Sequence, residues 1–128
     1  MNNRKNRRLA GFEVEKIVAN ILARQSWVIL TSNFQTRYGE IDLIGRDRKT
    51  LVFIEVKSAT RPSALLSGKV NKRKQSRMIL AAEAYLQDTD ISQFDEIRFD
   101  VITAVKTATG DWSMAHIRNA FDVEQSQL

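Results

Sequence analysis

Hydrophobic positions recur along the chain with two different periods. Over residues 7–24, Val14, Ile17, Val18, Ile21 and Leu22 fall at three- and four-residue steps, which line one face of a helix. Residues 71–87 repeat that spacing with Met78, Ile79, Ala82, Tyr85 and Leu86. Elsewhere the period drops to two or collapses into short apolar runs. Residues 27–31, 39–44, 51–57, 97–105 and 112–117 therefore read as strands, turned by polar residues at 47–50 and 109–111. Residues 58–68 mix small and polar side chains around Pro62, the only proline; a loop of that length usually serves a site or moves. The order α-β-β-β-α-β-β predicts an α/β fold, a mixed central sheet of about five strands flanked by helices. The passage from the third strand through the second helix to the fourth is long enough for a right-handed parallel crossover.

Composition narrows the chemistry. No repeat or low-complexity linker interrupts the 128 residues, which suit a single domain over 1–128 with a basic, flexible tail at 1–8 and a polar one at 122–128. The chain has no cysteine and one histidine, His116. Disulfides, thiolate metal sites, histidine clusters and histidine triads are thereby excluded. The longest apolar run, Met78 to Ala82, cannot span a bilayer, and Glu13, Glu15 and Lys16 interrupt the place where a signal peptide needs apolar residues. The expected location is the cytoplasm, with no membrane partner. No glycine-rich phosphate loop points to ATP.

Charge is unevenly placed within a formal net of +5. Arg4, Lys5, Arg7 and Arg8 precede any acid. Lys57, Arg61, Lys69, Lys72, Arg73, Lys74 and Arg77 follow one another with no Asp or Glu between them. Segregated positive charge attracts a polyanion by counterion release; its plainer reading is a solvated helix face.

One stretch breaks the apolar pattern. In "RYGEIDLIGRDRKTLVFIEVK", residues 37–57, acids and a lysine occupy strand positions. Strand alternation puts Glu40, Asp42 and Ile44 on one face, and Phe53, Glu55 and Lys57 on one face of the next strand. A four-residue turn at 47–50 pairs Arg46 with Leu51, which sets Asp42 opposite Glu55 and Glu40 opposite Lys57. Opposed carboxylates repel unless a proton or cation lies between them. Two such acids beside a lysine suit a hard divalent ion, Mg²⁺ or Mn²⁺, bound through oxygen. The alternative is a Glu40–Lys57 salt bridge with Asp42 and Glu55 reaching solvent.

"GEIDLI", then "LVFIEVK", with "RFDVI" at 98–102 and "NAF" at 119–121, resembles the YraN family of small bacterial proteins. That family is similar to PD-(D/E)XK, or restriction-endonuclease-like, nucleases, including archaeal Holliday-junction resolvases. The resemblance runs from about Gly11 to Phe121. It implies a restriction-endonuclease-like fold and a metal-dependent nuclease acting on DNA, with branched or damaged DNA among the candidate substrates. It casts Asp42 and Glu55 as metal-binding acids, the Val56 carbonyl as a third ligand and Lys57 as the motif lysine. An acid on the first helix completes such sites; the family's glycine aligns Gly11 and hence Glu15. A helical wheel agrees, placing Glu15 and Glu13 on opposite rims of the apolar stripe, so Glu13 is assigned to the surface. Lys74 and Gln75 are cast as site-edge contacts, and Arg73 and Arg77 as contacts to the nucleic-acid backbone. Arg61, Lys69 and Lys72 extend the basic stretch. Ile41 stands where the motif's name puts proline, a position that shapes the bend rather than the chemistry.

Two other readings stand beside the nuclease: a non-catalytic nucleic-acid-binding module on the same fold, and a protein-interaction domain whose basic face meets an acidic partner. A homodimer is compatible with a site that cuts one strand at a time. Asp100 is expected to be a hydrogen-bonded structural acid and His116 a strand-surface residue. Trp27 and Trp112 are expected in the core or at its rim, with Phe121 closing the core.

Overall fold

The computed structural model describes residues 3–62 and 64–123, with side chains from Gly11 onward. Helix α1 spans Asn3–Arg24, followed by strands β1 (Val28–Gln35), β2 (Glu40–Asp47) and β3 (Thr50–Ala59). Helix α2 (Lys72–Gln87), a single 3-10 turn (Ile91–Gln93), β4 (Glu96–Lys106) and β5 (Trp112–Ile117) complete the chain. The five strands form one sheet in the order β1-β2-β3-β4-β5. β3 and β4 are parallel, joined through α2, and every other neighbouring pair is antiparallel. The fold is α/β, with the expected order of elements.

Two cores lie on opposite faces of the sheet. Val14, Val18 and Leu22 of α1 pack with Trp27, Leu43, Val52, Ile54, Ile102 and Ala104. Met78, Ile79, Ala81 and Ala82 of α2 pack with Ile44, Leu51, Phe53, Phe99 and Val101. Phe121 closes this second core by stacking on Phe99 at 4.9 Å, and Phe99 stacks on Phe53 at 5.4 Å. Trp27 is buried, and Trp112 packs at the rim of the first core.

Several boundaries differ from those read in sequence. α1 begins at Asn3, so the stretch expected to be a flexible basic tail is helical from that residue. Arg, Lys, Leu and Ala are good helix formers, and no breaker precedes Gly11. β1 continues to Gln35 because its exposed edge tolerates the polar run from Thr31 onward. Asn71 is the N-cap of α2 rather than its first residue, accepting from the Lys74 N–H at 2.8 Å. The tail expected at 122–128 lies mostly outside the described residues. No helix among the described residues is long and apolar enough to cross a membrane.

Candidate metal and nucleic-acid site

The β2–β3 hairpin has the expected register at its turn, with Arg46 opposite Leu51, but Asp47 also pairs with Thr50, so the turn is only Arg48-Lys49. Arg48 takes the left-handed conformation such a tight turn needs, at φ 58°. At the other end the ladder stops at Leu43–Ile54. The expected alternation also fails there. Ile41 and Ile44 both enter the core under α2, whereas Leu43 enters the core under α1. Asn33, which the β1–β2 register sets against Asp42, has φ 53°. Asp42 reaches into the seam between β2 and β3, where its Oδ2 accepts the Val56 N–H at 2.8 Å. In extended backbone a residue's C=O points the same way as its N–H, so the Val56 carbonyl faces that seam too.

Around Asp42 the acids gather from three elements. Glu55 arrives from β3 and is 5% exposed. Glu15 comes from α1, its carboxyl beside Asn33 and Asp42, and its Oε2 is buried without a hydrogen-bond partner. Glu13 is exposed, as its rim position implied. Burial, then the Glu55 charge, push the Asp42 carboxyl up to about 8, with Glu15 adding to the rise and the Val56 N–H and Lys74 opposing it. Burial likewise raises Glu15, against the pull of Asn33 and Asp42. Like charges crowded in a poorly hydrated site are held near neutrality by protons until a cation replaces them.

The ammonium beside these acids is not the one the motif pointed to. Lys57 Nζ donates to the Ser67 carbonyl at 2.8 Å and to the Lys69 carbonyl, tying down the loop that precedes α2. Neither the cross-strand neighbourhood with Glu40 nor a Glu40–Lys57 salt bridge forms, because the hairpin ladder has ended and Lys57 registers against Thr103 of β4. Lys74 of α2 instead reaches Glu55 Oε1 at 2.7 Å. Burial alone would lower its pKa, but the Glu55 hydrogen bond and the charges of Glu55, Asp42 and Glu40 raise it. Lys74, expected as a site-edge contact, thus stands on the acids themselves, at a place fixed by its spacing from the capping Asn71.

Lys74, Arg73 and Arg77 line a cleft of about 230 Å³ with Glu40, Asn71 and Met78. Gln75 is beside this cleft but turned away from it, its amide donating to the Val70 carbonyl at 2.7 Å. Arg61, Lys69 and Lys72 are exposed and do not line the cleft. At Gly39, just before β2, the backbone lies against α2, and a Cβ there would overlap the Arg77 carbonyl.

The donor set tests whether a divalent ion suits the site. Three carboxylates, one with an unpartnered buried oxygen, and a carbonyl turned to the same seam are hard oxygen donors of the kind Mg²⁺ and Mn²⁺ take. In chemistry they fit. Among the described residues, no three acidic, imidazole or thiolate groups stand in finished ligand geometry, and Lys74 holds one of the Glu55 oxygens.

The profile of the Uncharacterised protein family UPF0102 matches residues 14–104, from the buried stripe of α1 into β4. The chain belongs to the UPF0102 (YraN) family. Among curated UPF0102 proteins, that of Pseudomonas paraeruginosa is 38% identical over 95% of this chain and 99% of its own. That of Clostridium botulinum is 35% identical over 85% and 90%, and that of Persephonella marina 32% over 91% and 96%. The UPF0102 match contains Glu15, Asp42, Glu55, Lys57 and Lys74 and ends before His116.

His116 lies on the far side of the sheet from the α2 cleft and belongs to a different network. Its Nε2 is 2.7 Å from Asp100 Oδ2, and its ring packs at 5.6 Å from Trp27. Expected at the strand surface, it is instead half-buried, because the β4–β5 register sets it against Ile102 on the α1 face. Asp100, fully buried, also accepts two bonds from Arg98 and one from the Asn119 N–H. Burial would raise its pKa, but these partners lower it. It is a structural acid and has no oxygen to spare for the acidic seam.

Proposed function

We propose that this protein is a divalent-cation-dependent, endonuclease-like protein acting on DNA phosphodiesters. The observation that carries the reading is the convergence of Glu15, Asp42 and Glu55 at the end of the hairpin, where burial and the Glu55 charge push Asp42 up to about 8. Asp42, Glu55 and the Val56 carbonyl would hold Mg²⁺ or Mn²⁺, with Glu15 completing the set. When bound, such an ion supplies charge neutralisation at the phosphate and a more acidic water. Asp42 gives up its proton as the site fills. Arg73 and Arg77, on the cleft beside the acids, attract the backbone phosphates, and Arg61, Lys69 and Lys72 lengthen the positive surface along the strand. Lys57 acts from behind, holding the loop that delivers α2. The resemblance to restriction-endonuclease-like nucleases supports the same reading, with structured DNA among the candidate substrates and the cytoplasm as the expected location; a homodimer would present one site to each strand.

A second reading, a non-catalytic nucleic-acid-binding module, draws on the Lys57 ammonium being engaged with loop carbonyls. One experiment separates them: linear, nicked, flapped and four-way-junction DNA incubated with Mg²⁺ or Mn²⁺ and the intact protein, Asp42→Asn or Glu55→Gln. Cleavage lost in both variants supports the nuclease. Salt-dependent binding without cleavage of any substrate supports the module. Neither cleavage nor salt-dependent binding overturns both.

A further inference from the structure

Glu15, Glu40, Asp42 and Glu55 feel one another's charge at the open end of the hairpin, and among the described residues one ammonium stands with them. It belongs to Lys74. Glu55 is nearly buried, and a carboxylate so placed needs a counter-charge. Lys57, the nearest cation in sequence, points to the loop carbonyls.

We propose that Lys74 is the built-in counter-ion of this site: it neutralises Glu55 while no divalent ion is bound, and ion binding releases its ammonium into the adjoining basic cleft to meet a phosphate. The inference rests on the metal-dependent reading above and adds to it a device by which ion and nucleic acid bind cooperatively through one side chain.

Three features support the exchange. The Asn71 cap fixes the first turn of α2, so Lys74 projects from a firm base. Its side chain is 45% exposed and, among the described residues, is the side chain that pairs with Glu55, so a flexible four-carbon stem can swing to water without disturbing the core. Arg73 and Arg77 line the same cleft, so the released ammonium joins an existing phosphate-attracting surface. A divalent ion among three carboxylates repels a nearby ammonium and outcompetes it for the Glu55 oxygen. By linkage, whatever factor the ion adds to DNA affinity through Lys74, DNA adds to ion affinity.

The test uses Mg²⁺ alone, titrated calorimetrically at pH 8.5 into the wild-type protein, Lys74→Met and the neighbouring-charge control Lys72→Met. Lys74→Met should bind Mg²⁺ on the order of tenfold more tightly than wild type, the scale of one lost charge-assisted hydrogen bond, and Lys72→Met should not. A second measurement needs no variant: acetylation of Lys74, followed by mass spectrometry, should accelerate severalfold in saturating Mg²⁺ while Lys72 keeps its rate. Equal or weaker Mg²⁺ binding by Lys74→Met, or an unchanged Lys74 acetylation rate in Mg²⁺-bound wild type, overturns the exchange and leaves the metal site standing. No Mg²⁺ binding by any of the three proteins overturns the exchange and the metal reading together.

Discussion

Replacing Asp42 with Asn should stabilise the metal-free protein, and by an amount that grows with pH. The Asn side chain keeps an oxygen for the Val56 N–H but carries no charge toward Glu55 and Glu15. In the unfolded chain Asp42 ionises near its ordinary 3.8, whereas in the folded protein it holds its proton until about 8. Between those values the folded state binds a proton that the unfolded state does not, so folding stability falls as pH rises and levels off above about 8. Roughly four pH units at about 1.4 kcal/mol each set a ceiling near 6 kcal/mol. A pH-independent cost of burying the Asn amide N–H₂ without a partner offsets part of this and brings the net gain above pH 8 to about 2–3 kcal/mol. For a chain of this length that is about 8–11 °C in Tm. Thermal melts of wild type and Asp42→Asn in chelator, from pH 5 to 9, should show a gap that is small at pH 5, widens through neutrality and is flat beyond pH 8. A gap that does not change with pH, or that is complete by pH 5, refutes the placing of Asp42 among uncompensated acids.

Ion binding at pH 7 should release close to one proton from Asp42, falling toward zero above pH 9; calorimetry in buffers of different ionisation enthalpy measures it. Lys57→Ala should cost about 1–3 kcal/mol and speed proteolysis of the 60–70 loop, because two carbonyls lose a charged donor, while Mg²⁺ affinity in calorimetry stays within about twofold. Asp100→Asn should destabilise by about 3 kcal/mol or more in urea melts, since Arg98 and His116 lose their shared buried anion, with no change in Mg²⁺ binding.

The elements visible in sequence are those whose periodicity reports burial. Val14, Val18 and Leu22 mark α1, Met78, Ile79 and Ala82 mark α2, and the Arg46–Leu51 pairing follows from where polar residues end the apolar strands. Glu15, Asp42 and Glu55 were legible as a set through the motif. The break in alternation between Ile41 and Leu43 was not, because it lies against a left-handed residue, Asn33, in the neighbouring strand. Lys57's partners are backbone carbonyls, which every residue possesses and no sequence pattern distinguishes. Lys74 meets Glu55, and His116 meets Asp100, only through a helix start and a strand register that exist after folding. β1 extends past its apolar residues because its edge position asks little of them.

Gly39 has a reach beyond its own packing. Where it meets Arg77, the chain entering β2 and the helix are separated by nothing but their main chains, so their spacing beside the cleft is set by backbone contact. A larger residue at position 39 would wedge the two apart and carry Glu40 and Arg77, which line the cleft, away from each other while every acid and base keeps its identity. The gap between two charged walls is thereby fixed at a position that bears no functional group.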